Sequence, residues 1–320
     1  MSDRHEDQAA GVISPAARVL PALGGPGVLG RLAELGGSDF TSVMLEVARR
    51  RAAREKPATV MRRYRSDRFV QPASLAWREL RQAEDILADA LPPAFEVLTL
   101  APLVPLGAHS ALATVSQDKV VTAMRACEVA ADPTNALALE AAVRRSADFA
   151  AGTVRLAAFQ RVVRAQQTQP GYLPHFGLLG LVSAGRDDGG RRFEREAMVE
   201  HVRALAAGLA AAGLAHSSPV QLALTPLSPA GQSIAAAVAG ELSAAPLLAV
   251  LDHDRQSGRG YYRELCYKLN VMSQGAWAEI GDGGFTSWAA QLTASSKERL
   301  LISGVGTDRL VALRNSVREP

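Results

Sequence analysis

Two apolar segments joined by a polar loop constrain the fold of this chain most. Residues 153–164 and 175–184 have the length and the Val, Leu and Ala content of strands, and the loop between them carries Pro170, Gly171 and Pro174. Apolar segments on either side of such a turn-forming loop predict an antiparallel hairpin with a long tip. Strands that are neighbours in this way argue against a doubly wound parallel sheet, in which helices alternate with strands.

The other apolar segments extend this pattern into a larger sheet. We therefore expect an α+β domain whose helices flank a mainly antiparallel sheet. Ser74 is the expected N-cap of one helix, and Pro57 is the expected stop of another. Further strands are predicted at 95–101, 219–226, 246–253, 262–271 and 299–304, and helices at 41–54, 74–91, 134–148, 194–213, 229–243 and 305–317.

Composition limits the class of protein. The chain has 320 residues, of which 48% are hydrophobic, which suits one large or two small domains with a buried core. No uninterrupted apolar run reaches the roughly 18 to 20 residues that span a bilayer, and the N-terminus lacks the pattern of a secretory signal. The two cysteines, Cys127 and Cys266, lie far apart, which argues against a disulfide framework or a zinc knuckle. We expect a cytoplasmic protein with no membrane partner.

The first part of the chain differs from the rest. We expect an N-terminal extension at 1–65, partly helical and basic, ahead of a core domain at 66–320. The formal net charge is only +3, which does not indicate a nucleic-acid-binding protein as a whole, yet basic residues concentrate between 49 and 68. This basic stretch is either a solvated helix face and linker or a contact for a phosphate-bearing partner.

Two arginines at the ends of predicted strands point to phosphate chemistry. Arg164 ends the first strand of the hairpin, where its planar guanidinium can hold a phosphate group. Arg309 follows a strand and the glycine turn Gly304-Val-Gly306, in the first turn of a predicted helix. Glycines at such a turn permit a close approach of the backbone. Each arginine alone is equally compatible with a place on the surface.

Taken in order, three segments resemble the three motifs of class II aminoacyl-tRNA synthetases, and most closely those of the histidyl-tRNA synthetase catalytic core. The segment from Glu96 to Pro102, after a predicted helix, resembles motif 1, the helix–strand–proline element of the dimer. Arg164, with Phe176 beyond the loop, resembles motif 2. The segment 304–310, with Arg309, resembles motif 3 and is the most specific single match.

Shorter matches extend the resemblance over residues 74–317. Asp132-Pro-Thr134 resembles the acid-x-Thr segment that contacts the amino group of the substrate. Asp132 is equally explained as a helix N-cap, and one residue can do both. Gly258-Arg-Gly-Tyr-Tyr262 resembles a shortened Arg-Gly-x-x-Tyr-Tyr signature, and Gly283-Gly284 resembles the later glycine pair. On a strand, Tyr261 and Tyr262 face opposite sides, so at most one of them is expected in a pocket.

Several positions depart from the family pattern. Gln166 replaces the glutamate that follows the motif 2 arginine, and the second arginine of that loop is replaced near Pro174. Leu178 and Val182 occupy places that carry polar, histidine-recognising groups in the family, and the segment beginning at Phe285 lacks the usual acid. Histidine is therefore not the expected substrate.

The resemblance implies that a carboxylate is joined to the α-phosphorus of ATP with release of pyrophosphate. Arg164 would stabilise charge on the α-phosphate, Arg309 would hold the γ-phosphate, and Arg259 would lie near the substrate carboxylate or the α-phosphate. Mg²⁺ would arrive with ATP, and no protein metal site is expected, because the histidines lack metal-binding spacing. The implied cofactor-binding residues are Arg164, Gln166, Phe176, Gly304, Gly306 and Arg309. The implied substrate-binding residues are Asp132, Thr134, Tyr261, Tyr262, Gly283 and Gly284.

Three functions remain open. The first is an enzyme, a homodimer through the motif 1 region, that activates an amino acid or related carboxylic acid as an acyl-adenylate. A small molecule, a carrier protein or a protein side chain would then accept the acyl group. The second is a non-catalytic paralogue that resembles the ATP phosphoribosyltransferase regulatory subunit and acts by binding a partner enzyme. The third is a tRNA-binding accessory that uses the stretch 49–68. The sequence ends soon after motif 3 without a segment like the anticodon-binding domain, so tRNA is not the expected acceptor.

Overall fold

A computed structural model describes residues 14–113, 115–165, 173–215, 220–243, 245 and 247–318. These residues group into two compact units, one formed by 14–61 with Met124–Ala126 and the other by 62–123 with 127–318. The predicted division into an extension at 1–65 and a core at 66–320 stays a prediction. None of the described helices is both long enough and apolar enough to cross a membrane.

Eleven helices occur within the described ranges, and the first three bury none of their residues. Short 3-10 turns occupy Leu20–Leu23 and Gln117–Lys119. The helices are α1 (Pro15–Val19), α2 (Gly27–Ala33), α3 (Gly37–Ala52), α4 (Pro57–Ser66), α5 (Trp77–Asp89), α6 (Ala108–Leu112), α7 (Pro133–Ala147), α8 (Arg192–Ala211), α9 (Pro229–Glu241), α10 (Trp288–Thr293) and α11 (Thr307–Arg318).

The strands form one large and one small sheet. They are β1 (Glu96–Val97), β2 (Leu103–Pro105), β3 (Thr122–Ala123), β4 (Cys127–Val129), β5 (Val154–Val163), β6 (His175–Arg186), β7 (Val220–Pro226), β8 (Leu247–Leu251), β9 (Tyr262–Ser273), β10 (Ala276–Thr286) and β11 (Glu298–Gly306). The large sheet has the order β1-β5-β6-β11-β10-β9-β7-β8, and the small one the order β2-β4-β3. Only the outer pairs β1–β5 and β7–β8 of the large sheet are parallel. The predicted α+β class with a mainly antiparallel sheet and flanking helices is confirmed.

Helices cover both faces of the large sheet. On one face, α5, α8, α9 and α11 bury Leu179 and Leu181 of β6 together with Tyr267 of β9. On the other face, α7 and α10 bury Val182 of β6 and Ile302 of β11. Because side chains alternate along a strand, β6 serves both cores and reads as a nearly continuous apolar run. The most deeply buried region therefore surrounds β6 and β11.

Several predicted elements differ from the observed ones. Ser74 does not cap a helix, because α5 begins only at Trp77 and is preceded by Ala76 in an extended conformation. The predicted strand at 95–101 is only two residues long. Pro57 begins α4 rather than ending a helix, since proline fits the first turn of a helix, and the preceding helix α3 already ends at Ala52. β10 and α10 were not predicted, because the glycines of β10 weaken the usual strand pattern.

Candidate functional site

A cavity of about 420 Å³ opens beside the sheet, on the face that α7 and α10 cover. The beginning of α7, the turn before β9, and strands β10 and β11 all contribute to it. Its rim comprises Lys119, Asp132 and Arg164, which are exposed or half-buried. Its inner wall comprises Asn135, Tyr262, Trp288 and Ile302, which are buried. The volume suits a ligand of the size of an amino acid.

The beginning of α7 reaches the cavity because a glycine lies beneath it. A Cβ atom on Gly180 of β6 would lie 2.8 Å from Cγ of Pro133, closer than carbon atoms tolerate. Asp132 caps the helix, since its Oδ1 accepts hydrogen bonds from Thr134 N at 2.9 Å and from Thr134 Oγ1 at 2.7 Å. Asp132 and Thr134 both line the cavity. Asp132 therefore combines the capping role with a place in the cavity.

Arg164 meets Asp132 at the rim. It directly follows β5, and its Nε donates to Ala131 O at 2.9 Å while its Nη2 donates to Asp132 Oδ2 at 3.2 Å. The guanidinium lies 5.1 Å from the centre of the Phe176 ring, a cation–π distance. Within the described ranges, no hydrogen bond engages Nη1 of Arg164. The bonds through Nε and Nη2 thus hold the arginine in place at the rim.

A buried histidine bonds the backbone that holds Arg164 at the rim. His109 lines the cavity, and its Nε2 accepts the N–H of Ala131 at 2.9 Å, so the proton of the neutral ring lies on Nδ1. Nδ1 then donates to Glu128 Oε1 at 2.6 Å. Burial disfavours ionisation of Glu128, but hydrogen bonds from Gln117, His109 and Gly107 together outweigh it and lower its pKa. The pair fixes the backbone at Ala131, to which Arg164 is bonded.

A second charged pair lies at the inner part of the cavity. Asp282 of β10 lines it, and its Oδ2 accepts from Arg255 Nη2 at 2.9 Å and from the Tyr262 hydroxyl at 3.3 Å. Surrounding protein raises the pKa of Asp282, and the charge of Arg255 opposes that rise. The Asp282 side chain remains 38% accessible because it faces the open cavity. It can therefore contact a ligand while staying bonded to Arg255.

Aromatic side chains wall the cavity. The ring centres of Tyr261 and Tyr262 are 4.3 Å apart, and Trp288 stacks 6.1 Å from Tyr261. Both tyrosines line the cavity, contrary to the expectation that at most one does. Strand alternation does not separate them, because β9 begins only at Tyr262. Burial raises the pKa of Tyr261 and of Tyr262, so both stay neutral at physiological pH.

Gly283 and Gly284 do not line the cavity. A Cβ atom on Gly283 would lie 2.7 Å from the Tyr267 ring, and one on Gly284 would lie 2.6 Å from the Tyr262 ring. These glycines therefore make room for the aromatic side chains of β9. They thus have a packing role that supports the wall at Tyr262, and their predicted place in substrate binding stays a prediction.

Arg259 lines a different cavity, which lies at the start of α9. Arg191 and Arg263 also line that cavity. Gly258 has a φ of +79°, and in the turn that it forms Arg259 donates to the backbone oxygens of Arg255 and His253. Arg259 is therefore not among the lining residues of the cavity that Arg164 borders, and its implied place near the substrate carboxylate or the α-phosphate stays a prediction.

Arg309 also lies outside the cavity lining. It is exposed, whereas Asp308 and Leu310 on either side of it are buried. Asp308 ties α11 to β6 by accepting from Gly177 N at 2.7 Å and from Arg161 Nη2 at 3.0 Å. With its neighbours turned inward in this way, Arg309 faces outward.

The other residues that the resemblance implies for nucleotide binding do not all line the cavity. Gly304 lines the cavity, Gly306 does not, and Gln166 falls outside the described residues. In the part of the chain that the structure covers, no three His, Cys, Asp or Glu side chains come together to hold a metal ion. Of the predicted site, the structure brings together Asp132, Thr134, Arg164, Tyr261, Tyr262 and Gly304, with Phe176 in contact with Arg164.

Sequence reasoning missed further lining residues. Asn135 directly follows the segment Asp132-Pro-Thr134, and Asp282 directly precedes Gly283-Gly284, so each lies next to a recognised segment. His109 carried no local signal, because its partner Glu128 is 19 positions away.

This chain is similar to known proteins in its three-dimensional structure, whereas sequence comparison finds no match. Neither a protein-family model nor a curated protein matches the sequence. The solved histidyl-tRNA synthetase from S. aureus is 11% identical, with a TM-score of 0.59 over 78% of this chain and 73% of that chain. A histidine–tRNA ligase subunit from Alicyclobacillus acidocaldarius is 14% identical, with a TM-score of 0.59 over 78% and 96%.

A third similar structure bears on the alternative function. It is described as an ATP phosphoribosyltransferase regulatory subunit/histidyl-tRNA synthetase from Bacillus halodurans C, and it is 14% identical, with a TM-score of 0.57 over 77% of this chain and 82% of that chain. At these identities the likeness establishes the fold alone. The fold of the described residues is similar to that of these class II aminoacyl-tRNA synthetase-like structures, as the motifs predicted.

Proposed function

We propose that the chain binds an amino acid or related carboxylic acid in the cavity and activates it with ATP as an acyl-adenylate. A non-tRNA acceptor, either a small molecule or a carrier protein, would then take the acyl group. The observation that carries the proposal is the meeting of Arg164, Asp132 and Thr134 beside the aromatic wall. A guanidinium next to a group suited to an ammonium ion matches the two ends of an amino acid.

The cavity residues suggest how each part of the acid is held. Asp132 attracts the ammonium group, and the Thr134 hydroxyl, which donates to Asp132, keeps its lone pairs to accept an N–H. The carboxylate is a nucleophile at neutral pH and needs no general base. Its oxygen forms a bond to the α-phosphorus while the bond from that phosphorus to pyrophosphate breaks. Nη1 of Arg164, which no described residue bonds, would stabilise the charge that develops there.

ATP and Mg²⁺ are part of this proposal. Lys119 and Arg164 give the rim a positive character that suits phosphate groups, and Mg²⁺ would come bound to the nucleotide. Arg309 can hold the γ-phosphate only if the nucleotide extends beyond the cavity lining. Arg259 lines the other cavity, so it is not part of the proposed catalytic set.

A second candidate is a non-catalytic module that binds the same ligand and acts on a partner enzyme. It is favoured by the bonds that Arg164 already makes to Asp132 and Ala131, and by the outward position of Arg309. In this case ligand binding would be read out by a partner rather than by chemistry. A homodimer through residues 74–102 remains a proposal for either candidate, and light scattering of the purified chain tests it.

Exchange of labelled pyrophosphate into ATP, screened over amino acids, separates the two candidates. We expect exchange with at least one acid, and a roughly 100- to 1000-fold lower rate in Arg164→Ala, the size expected when one preorganised donor is removed. Arg78→Ala is the matched control, because Arg78 is exposed on α5 and does not line the cavity. Amino acids that raise the melting temperature without supporting exchange would overturn the enzyme and support the module.

A further inference from the structure

The side-chain amide nitrogen of Asn135 is buried in the wall of the cavity. Asn135 lies in the first turn of α7, lines the cavity and is only 1% exposed. Among the residues that the structure describes, none accepts a hydrogen bond from its Nδ2. Buried amide groups are nearly always paired, since an unpaired donor loses its bonds to water without replacement. An unpaired amide at a cavity wall points to an acceptor on a ligand.

The position of Asn135 identifies the part of the ligand that it meets. The charged groups that suit an amino acid's ammonium and carboxylate lie at the rim, where Asp132 and Arg164 are partly exposed. Asn135 belongs to the inner wall with Tyr262 and Trp288, which are 3% and 2% exposed. A ligand held by its charged groups at the rim therefore directs its side chain towards Asn135.

The surroundings limit the chemistry of that side chain. Asp282 lines the same cavity and already engages Arg255, whose Nη2 donates to it at 2.9 Å, so a second carboxylate there would meet a carboxyl group whose counter-ion is taken. A wholly apolar side chain would leave the Asn135 donor unpaired. A neutral acceptor, such as an amide oxygen, a ring nitrogen or a hydroxyl oxygen, satisfies both conditions.

We infer that the acid bound in the cavity has a side chain that ends in a neutral hydrogen-bond acceptor, and that Asn135 selects it. The inference rests on the proposed binding of an amino acid, but it does not require adenylation. A site built to hydrogen-bond a substrate group discriminates strongly against an isostere that lacks the group, because the protein donor is then stranded. Asn135 is thus a specificity-determining residue.

Isosteric amino acid pairs test the inference by binding alone. The probes are the twenty free proteinogenic amino acids, measured by calorimetry without ATP, with asparagine against leucine and threonine against valine as matched shapes. In the wild type, we expect the tightest ligand to carry a neutral acceptor and to bind roughly tenfold or more tightly than its apolar isostere. Equal affinity within the pairs, or no binding by any of the twenty, would overturn the inference.

Variants of Asn135 assign the selection to this side chain. Asn135→Leu should lose roughly tenfold or more in affinity for the acceptor-bearing ligand and keep its affinity for the apolar isostere. Asn135→Asp replaces the donor by an acceptor and should also lose that ligand. Asn270→Asp is the control, because Asn270 bonds Gln221 outside the cavity. Unchanged affinities in both Asn135 variants would contradict the inference.

Two readouts keep this test independent of folding and of catalysis. Because no described residue accepts a hydrogen bond from the Asn135 amide nitrogen, Asn135→Leu should melt at the wild-type temperature or above it. Should Asn135→Leu fail to fold, Asn135→Asp, of nearly the same shape, carries the test. Selective binding without pyrophosphate exchange would refute adenylation and leave the inference standing. Exchange with an apolar acid, unaffected by the Asn135 variants, would refute only the inference.

Discussion

The two ends of helix α7 hold arginine–carboxylate pairs in opposite environments. At the C-terminal end, Arg145 bonds Glu298 from Nε at 2.8 Å and from Nη2 at 3.0 Å. Both side chains are fully buried, and the arginine also donates to backbone carbonyls. At the N-terminal end, Arg164 and Asp132 pair at 3.2 Å and are each about one-third exposed. The first pair is sealed in protein, and the second lines a cavity.

This difference separates a structural pair from a functional one. Removing one partner from a sealed pair strands a charge in a medium of low polarity, so the cost falls on stability. A pair open to water contributes little to stability, and its unused donors and acceptors remain available to a ligand. The same two chemical groups therefore anchor one end of α7 and equip the other for binding.

The largest effect is expected at the sealed end. Glu298→Ala leaves Arg145 buried without its counter-ion and should lower the free energy of unfolding by about 3 to 5 kcal/mol, measured by urea denaturation. The matched control is Glu140→Ala, which removes a half-exposed carboxylate that pairs with Arg144 on the same helix. Equal losses in the two variants would show that the sealed pair is not the anchor.

The close approach of α7 to the sheet is the next test. In Gly180→Ala, the new Cβ atom would meet the Pro133 ring at 2.8 Å, so the start of α7 must shift, at a cost of about 1 to 3 kcal/mol. The shift should also weaken ligand binding at the rim. Gly152→Ala is the control, since nothing lies within 4 Å of the added atom. Wild-type stability in Gly180→Ala would disprove the close approach.

A buried polar network on the opposite face of the sheet should make the stability of the protein depend on pH. His201 lies between Ser183 and Ser303, and burial, with a smaller effect of the Arg155 charge, lowers its pKa from 6.5 to about 3. Between these values the unfolded chain binds the proton and the folded chain does not, so acidification favours unfolding.

Stability should therefore fall as the pH drops below 6.5, with this histidine contributing at most about 1.4 kcal/mol per pH unit. His201→Gln removes the titrating group, and urea denaturation at several pH values should show a shallower slope for this variant. An identical slope in variant and wild type would show that His201 takes up its proton in the folded state.

The smallest change in stability is expected at the open end. Arg164→Ala should lower the free energy of unfolding by no more than about 1 kcal/mol, because the pair with Asp132 is partly solvated. Chemical denaturation measures this directly. A loss as large as that of Glu298→Ala would remove the distinction between the two ends of the helix.

The fold was predictable where apolar segments are bounded by turn residues. The hairpin of β5 and β6 and the helices α7, α8 and α9 match their predicted ranges closely. β10 could not be predicted, although it lies between β9 and β11, because Gly281, Gly283 and Gly284 leave gaps that neighbouring strands fill. Its strand character arises from pairing on both sides rather than from its own residues.

The residues of the site were predictable from the sequence only where neighbouring side chains point into the same cavity. Asp132 and Thr134 share the first turn of a helix, and they reach the cavity together. In the segment 258–262, by contrast, a tight turn sends Arg259 to one cavity and Tyr261 to the other. A motif gives residue types and spacing, but a turn with a positive φ decides where each side chain points.

The central claim, that the cavity beside α7 holds an amino acid, can be measured through the three tryptophans of the chain. Fluorine NMR of the 5-fluorotryptophan-labelled protein gives one signal for each, and Trp288→Phe assigns the signal of the cavity residue. Trp288 lines the cavity, whereas Trp77 and Trp277 are 70% and 38% exposed and do not line it. On titration with the tightest-binding amino acid, we expect a saturable shift of the Trp288 signal alone. Saturable shifts of Trp77 or Trp277 without Trp288, or no shift with any amino acid, would contradict the claim.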